Sequence, residues 1–156
     1  MDDDAFLSAL ESGRLANEAF RHADHVRATY LYLRRFGYPA GVDAIESTIR
    51  RFAAAHGVPD KFHFTLTVAW ARFVAAHCAG GCARPFHAFI DQNGELLDKT
   101  LPLRYYSRER LFDPAARQAW REPDLESLPS VTPWRPIARS MGTPRTVPRT
   151  ISDHAK

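Results

Sequence analysis

Residues 22–36 read HADHVRATYLYLRRF, and this stretch decides the fold. Val26, Thr29, Tyr30, Leu33 and Phe36 recur at i, i+3, i+4 and i+7, the spacing that lines up side chains on one face of an α-helix. Gly37 and Pro39 close the run, because glycine suits a helix C-terminus and proline cannot continue one.

The same period extends in both directions. Upstream, residues 2–12 form a short helix: Asp2, Asp3 and Asp4 suit its positive N-terminal end, and Gly13 stops it. Downstream, Val42, Ile45, Ile49, Phe52 and Ala53 make one stripe from 42 to 56. Residues 57–60 are a compact break, and a fourth helix follows over 61–78 with Leu66, Trp70, Phe73 and Val74 inward. Its TLTV step is β-branched, but no alternating run elsewhere supplies partner strands. A shorter helix is expected at 85–92, a turn at Asn93-Gly94, and an irregular apolar stretch from Leu96 to Tyr106. Ser107 caps SRERLF, and Asp113-Pro114 opens DPAARQAW with proline at the first helical position. The expected fold is all-α: a single helical bundle over 1–129, then a disordered or extended basic tail over 130–156.

Charge divides along the same boundary. The chain has 156 residues, 45% hydrophobic, 25% charged and a net charge of +3, which suits one domain with a sizeable core. Beyond Ser130 the bases Arg135, Arg139, Arg145, Arg149 and Lys156 face one acid, Asp153, leaving 16 basic against 17 acidic residues before it. The body therefore carries no general footprint for a phosphate backbone, and nucleic acid is not expected there. With Pro133, Pro136, Pro144 and Pro148 and few large apolar residues, the tail cannot offset its ordering entropy by burial.

No apolar run reaches the ~20 residues of a membrane span, and the opening acids do not resemble a secretory leader. Two cysteines exclude a disulfide scaffold. Cys78 and Cys82, three residues apart, match no thioredoxin-type motif and are expected to be ordinary thiols. A cytoplasmic protein is the expectation, its oligomeric state left open between Trp120 and Trp134 packing internally or at a homodimer interface.

Seven histidines carry the functional reading. His22 and His25 extend the buried stripe of the second helix at its N-terminal end, and His63 does the same for the fourth. His56 ends the stripe of the third. Short connections make consecutive helices antiparallel, so His22, His25, His56 and His63 converge at one end of the bundle and His77 lies at the other. Neutral imidazoles there can transfer protons, bind a small polar or anionic molecule, hold a divalent transition metal through His22, His25 and His63, or fill a polar end of the core. Asp24, between two of the histidines, is expected to cap the first turn. In the irregular stretch, Arg104 lies in an apolar, aromatic run, where a guanidinium wants a partner: either an acid such as Asp98 or a bound anion, with Tyr105 beside it.

Taken together, FRHADHVRATYLYLRR at 20–35, IRRFAAAHGVPDKFHFTLTVAW at 49–70 and LLDKTLPLRYYSRERLFDPAAR at 96–117 resemble a family of small bacterial all-helical proteins. That family carries an F-x-H-x-D-H segment and a later H-x-T segment; the resemblance spans roughly residues 6–128. Phe64 stands where many members have glutamate, which removes a carboxylate ligand or base from that position. The resemblance implies the helical fold and assigns no chemistry.

The resulting expectation is a small-molecule site in which His25 and His63 transfer protons or bind, His22 orients them, Arg104 holds an anion, and His22, His56, Arg104 and Tyr105 contact the substrate. Its rivals are a metalloprotein using His22, His25 and His63, and a non-enzymatic interaction module acting through the basic tail.

Overall fold

The computed structural model describes residues 1–136. Seven α-helices occur among them: α1 (Asp3–Glu11), α2 (His22–Phe36), α3 (Ala40–Ala55), α4 (Phe64–His77), α5 (Phe86–Gln92), α6 (Arg108–Leu111) and α7 (Pro114–Gln118). Single 3-10 turns occupy Asn17–Ala19, Pro59–Lys61, Gly94–Leu97 and Leu101–Arg104. No strand is present among the described residues; the sole β-type pairing is an isolated bridge between Tyr38 and Trp134. The all-α class holds.

α2, α3 and α4 pack against one another and form the centre of the molecule. Their facing stripes bury Tyr30, Leu33, Ile45, Phe73 and Val74, and such apolar burial contributes about 25 cal/mol per Å2. α1 closes one side, where the Asp2 carboxylate accepts from the Ala5 N–H at 2.7 Å and holds its first turn. Arg27 ties α1 to α2 by pairing with Asp3 at 2.7 Å while its guanidinium lies 4.4 Å from the centre of the Phe6 ring. One buried polar link joins three helices. The Tyr32 hydroxyl donates to Glu11 Oε1 at 2.7 Å and accepts from the Thr48 hydroxyl at 3.0 Å.

The α2–α3 junction is tight because of two glycines. Gly37 turns the chain at a φ of 79°, beside the Trp134 carbonyl, and a Cβ there would fall 2.3 Å from that oxygen. At Gly41 a Cβ would lie 2.8 Å from Leu33 Cα, so only a bare backbone lets α3 start this close to α2.

The sequence reading misplaces two boundaries. α4 begins at Phe64, three residues later than expected, because Pro59–Lys61 forms its own 3-10 turn and His63 then stands outside the helix as its N-cap. α3 ends at Ala55, and His56 is its C-cap, still donating its N–H to the Phe52 carbonyl at 3.1 Å. Both TLTV as helix and the short capped helices at Ser107 and Asp113 agree with the structure. Trp120 and Trp134 both pack within the chain, against Tyr106 and Tyr38 respectively. Of the 130–156 segment, residues 130–136 run without helix along the body, and 137–156 lie outside the described residues.

Candidate functional site

Two helices present the same spacing to one cavity. From α2 come His22, His25, Val26 and Thr29; from the start of α4 come His63, Leu66, Thr67 and Trp70. Each set is i, i+3, i+4 and i+7, so each is a single face of its helix. Ile49, in the second half of α3, and the Lys61-Phe62 step before α4 complete the wall. The placement follows from α2 running one way, α3 returning, and α4 starting at the same end as α2. The cavity holds about 270 Å3. A neighbouring one of about 380 Å3 shares His25, Ile49, Lys61 and Phe62 with it and extends towards Phe20 and Phe52.

The three histidines of the wall differ in what their nitrogens do. The His63 Nδ1 accepts the Leu66 N–H at 3.0 Å, capping α4, so its Nε2 carries the proton and donates to the Leu111 carbonyl at 2.8 Å. Both nitrogens are thereby committed and the neutral tautomer is set. Burial lowers the His63 pKa, and nearby Arg117 adds to this. His22 donates from Nε2 to the Leu96 carbonyl at 2.9 Å and packs 4.5 Å from the Trp70 ring. Burial lowers its pKa too, partly opposed by that carbonyl. Among the described residues neither nitrogen of His25 has a hydrogen-bond partner, and burial pushes its pKa down to about 4, with His22 contributing. The His25 ring stacks on Phe20 at 3.9 Å. Of these three it is the imidazole with both nitrogens unengaged, and it faces both cavities.

His56 does not join them. Its ring lies 4.4 Å from Phe52, with Phe20 standing between Phe52 and His25, and its Nε2 is buried without a partner. Arg104 and Tyr105 also lie away from the cavity. The 3-10 turn at Leu101–Arg104 buries Leu101 and Pro102 and turns Arg104 out to solvent, so the partner expected of a buried guanidinium is not needed. Asp98 instead accepts from Thr100. Tyr105 packs on Phe73 at 5.1 Å.

Asp24 caps α2 as expected, accepting from the Arg21 N–H at 3.0 Å. His77, at the far end of α4, donates to the Phe73 carbonyl and contacts Glu95. Cys78 and Cys82 are free and buried. Among the described residues no three His, Cys, Asp or Glu side chains are grouped closely enough to hold a metal ion. Within the expected triad, His63 has no free lone pair and His22 has only Nδ1 left.

Sequence reasoning did not single out Lys61, Phe62 or Trp70 for the site. Trp70 had a signal, since it stands seven residues after His63 on the same face. Lys61 had none, because its place depends on the 3-10 turn, which Arg117 of α7 holds by donating to the Asp60 carbonyl at 2.5 Å.

No protein-family model matches the chain. Nor is any curated protein or solved structure found to be similar to it. The family resemblance therefore rests on the motifs themselves, and two of their positions have structural work: His63 caps α4, and the fully buried Thr65 donates to the Ala119 carbonyl at 2.8 Å and accepts from the Arg121 N–H at 3.2 Å.

Proposed function

We propose that this protein binds a small molecule in the cavity between α2, α3 and α4, with His25 as its main polar contact. The observation that carries this reading is His25 itself. An imidazole with both nitrogens unengaged, in the wall of a mostly apolar cavity, is the arrangement by which a ligand site fixes the polar group of its ligand. At about 270 Å3, with the adjoining space beyond it, the cavity matches the lower end of the ~300–1,000 Å3 that such sites occupy.

Binding is a better description than proton transfer for the free protein. A general base works best with a pKa near the working pH, and His25 stands well below it. His63 acts as a positioning residue, since its ring holds α4 and Leu111. His22 supports the wall against Trp70. The metal reading is not favoured by any observation, and the tail-mediated reading concerns residues mostly outside those described. Free, buried thiols suit a reducing compartment, so a cytoplasmic location accompanies the proposal.

A thermal-shift screen of small molecules against the wild type, His25→Ala and Ile49→Trp tests it. The expected result is stabilising compounds whose effect disappears in both variants while far-UV circular dichroism stays helical. Compounds that stabilise all three proteins equally would place binding elsewhere and sink the reading.

A further inference from the structure

We propose that the ligand is a small aromatic monocarboxylate, its body against Trp70, Phe62 and Leu66 and its carboxylate between the His25 imidazole and the Lys61 ammonium. The inference rests on the cavity being a ligand site, and it specifies what that site selects.

Charge argues for an anion. No aspartate or glutamate lines either cavity, and the single formally charged residue lining them is Lys61, which lines both. Lys61 makes no ion pair among the described residues, and it is exposed, so its ammonium can reach a ligand without being buried alone. The start of α4 and the start of α2 both lie at this end of the bundle. Each helix is long enough to develop about half a positive charge at its N-terminus. His25 is an independent observation of the same kind. Its uncommitted ring offers an N–H to a carboxylate oxygen, and a nearby negative charge favours the protonated ring.

The number of donors argues for one negative charge rather than two. A phosphate needs several strong donors or a guanidinium fork. Arg50 is bound to Glu46 and lies over Phe62, and Arg117 is spent on the Asp60 and Phe62 carbonyls. One ammonium and one imidazole match one carboxylate. The rest of the wall argues for the body. Val26, Ile49 and Leu66 are aliphatic, and the hydroxyls of Thr29 and Thr67 are turned back onto the His25 and His63 carbonyls at 2.7 and 2.8 Å. Those hydroxyls leave methyl groups to the cavity, and the Trp70 and Phe62 rings supply surfaces that a flat aromatic body covers well.

Isothermal titration with matched probes tests the class: 2-naphthoate, its neutral isostere 2-naphthamide, the cation 2-naphthylmethylamine, and octanoate as an alkyl acid. The expected result is 2-naphthoate binding at least tenfold tighter than the amide and the amine, and tighter than octanoate. Lys61→Gln is expected to bring the carboxylate down to the amide's affinity. Amide or amine binding as tightly as the acid would overturn the anion and leave the ligand cavity standing. Octanoate binding in preference to 2-naphthoate would overturn the aromatic body. Silence from all four while the thermal-shift screen still finds His25-dependent ligands would overturn the class alone, and silence in both experiments would overturn the site with it.

Discussion

The His63 imidazole donates to the Leu111 carbonyl at 2.8 Å, across 48 residues of sequence, and so fastens the start of α4 to the end of α6. Its other nitrogen caps α4 through Leu66. His63→Ala therefore removes an N-cap, worth about 0.5–2 kcal/mol, and leaves the Leu111 carbonyl unpaired, a further ~1–3 kcal/mol. Urea denaturation should show a loss of about 2–4 kcal/mol, with His63→Asn, which keeps the cap, losing about half as much. A variant within 0.5 kcal/mol of wild type would show that the bond does not matter.

Thr65 performs a similar task two residues along. It is fully buried, and its hydroxyl serves both Ala119 and Arg121. Thr65→Val has nearly the same shape but strands a carbonyl and an N–H, so about 2 kcal/mol should be lost. Thr65→Ser should retain most of the stability. Equal losses from the two substitutions would point to packing of the methyl group instead.

Acid should unfold this protein earlier than its carboxylates alone would require. The sign follows from His25, whose folded pKa of about 4 lies below the 6.5 of an unfolded histidine. The unfolded chain binds the proton first, so the stability is complete above pH 6.5 and lost as pH falls towards 4. The full loss is on the order of 3 kcal/mol at 1.36 kcal/mol per pKa unit. His22 and His63, whose pKa values are also lowered by burial, act in the same direction. Midpoints of denaturation between pH 7.5 and 4.5 should fall steeply for wild type and less steeply for His25→Gln. Parallel profiles would mean that His25 is not buried as described.

Helix contact at Gly41 should tolerate no side chain. The nearest atoms to an added Cβ, Leu33 Cα and the Tyr32 carbonyl oxygen, are backbone at 2.8 and 2.9 Å. They move only if the helices separate. Gly41→Ala should cost about 1–3 kcal/mol by overpacking, despite alanine being the better helix former. Stabilisation would contradict the close approach.

Much of this was legible before any coordinates. The bundle follows from periodicity, because the stripes at 22–36, 42–56 and 61–78 must be buried against one another, although α2 buries every residue from Ala28 to Leu33 and so is covered on more than one face. The cavity end follows from loop length, since short breaks bring the start of α2, the end of α3 and the start of α4 together. What the stripes do not encode is the role of a histidine at a helix start. A ring that caps its own helix, as at His63, and a ring that donates to a distant carbonyl, as at His22, stand at equivalent positions of the pattern, and nothing in it marks the ring of His25 as the one left unengaged. Arg104 was misread for a related reason: an apolar run says nothing about which side a 3-10 turn will show to solvent. His56 keeps its place on the α3 stripe beside Phe52, and periodicity does not show that Phe20 packs against both Phe52 and His25. Lys61 was invisible because it reads as the first residue of the fourth helix, whereas it ends the 3-10 turn that precedes α4.

The Tyr38–Trp134 bridge has a consequence for how the molecule is made. Each residue donates its N–H to the other's carbonyl at 3.0 Å, yet one lies in the first quarter of the sequence and the other in the last fifth. At synthesis rates of about 5–20 residues per second, the helices of the cavity are complete for seconds before Trp134 exists. During that interval the Gly37 turn has nothing to lean on, and the nascent bundle is a looser object than the finished one. Closure of this bridge therefore waits for almost the last of the described residues, a clasp fastened after the garment is already on.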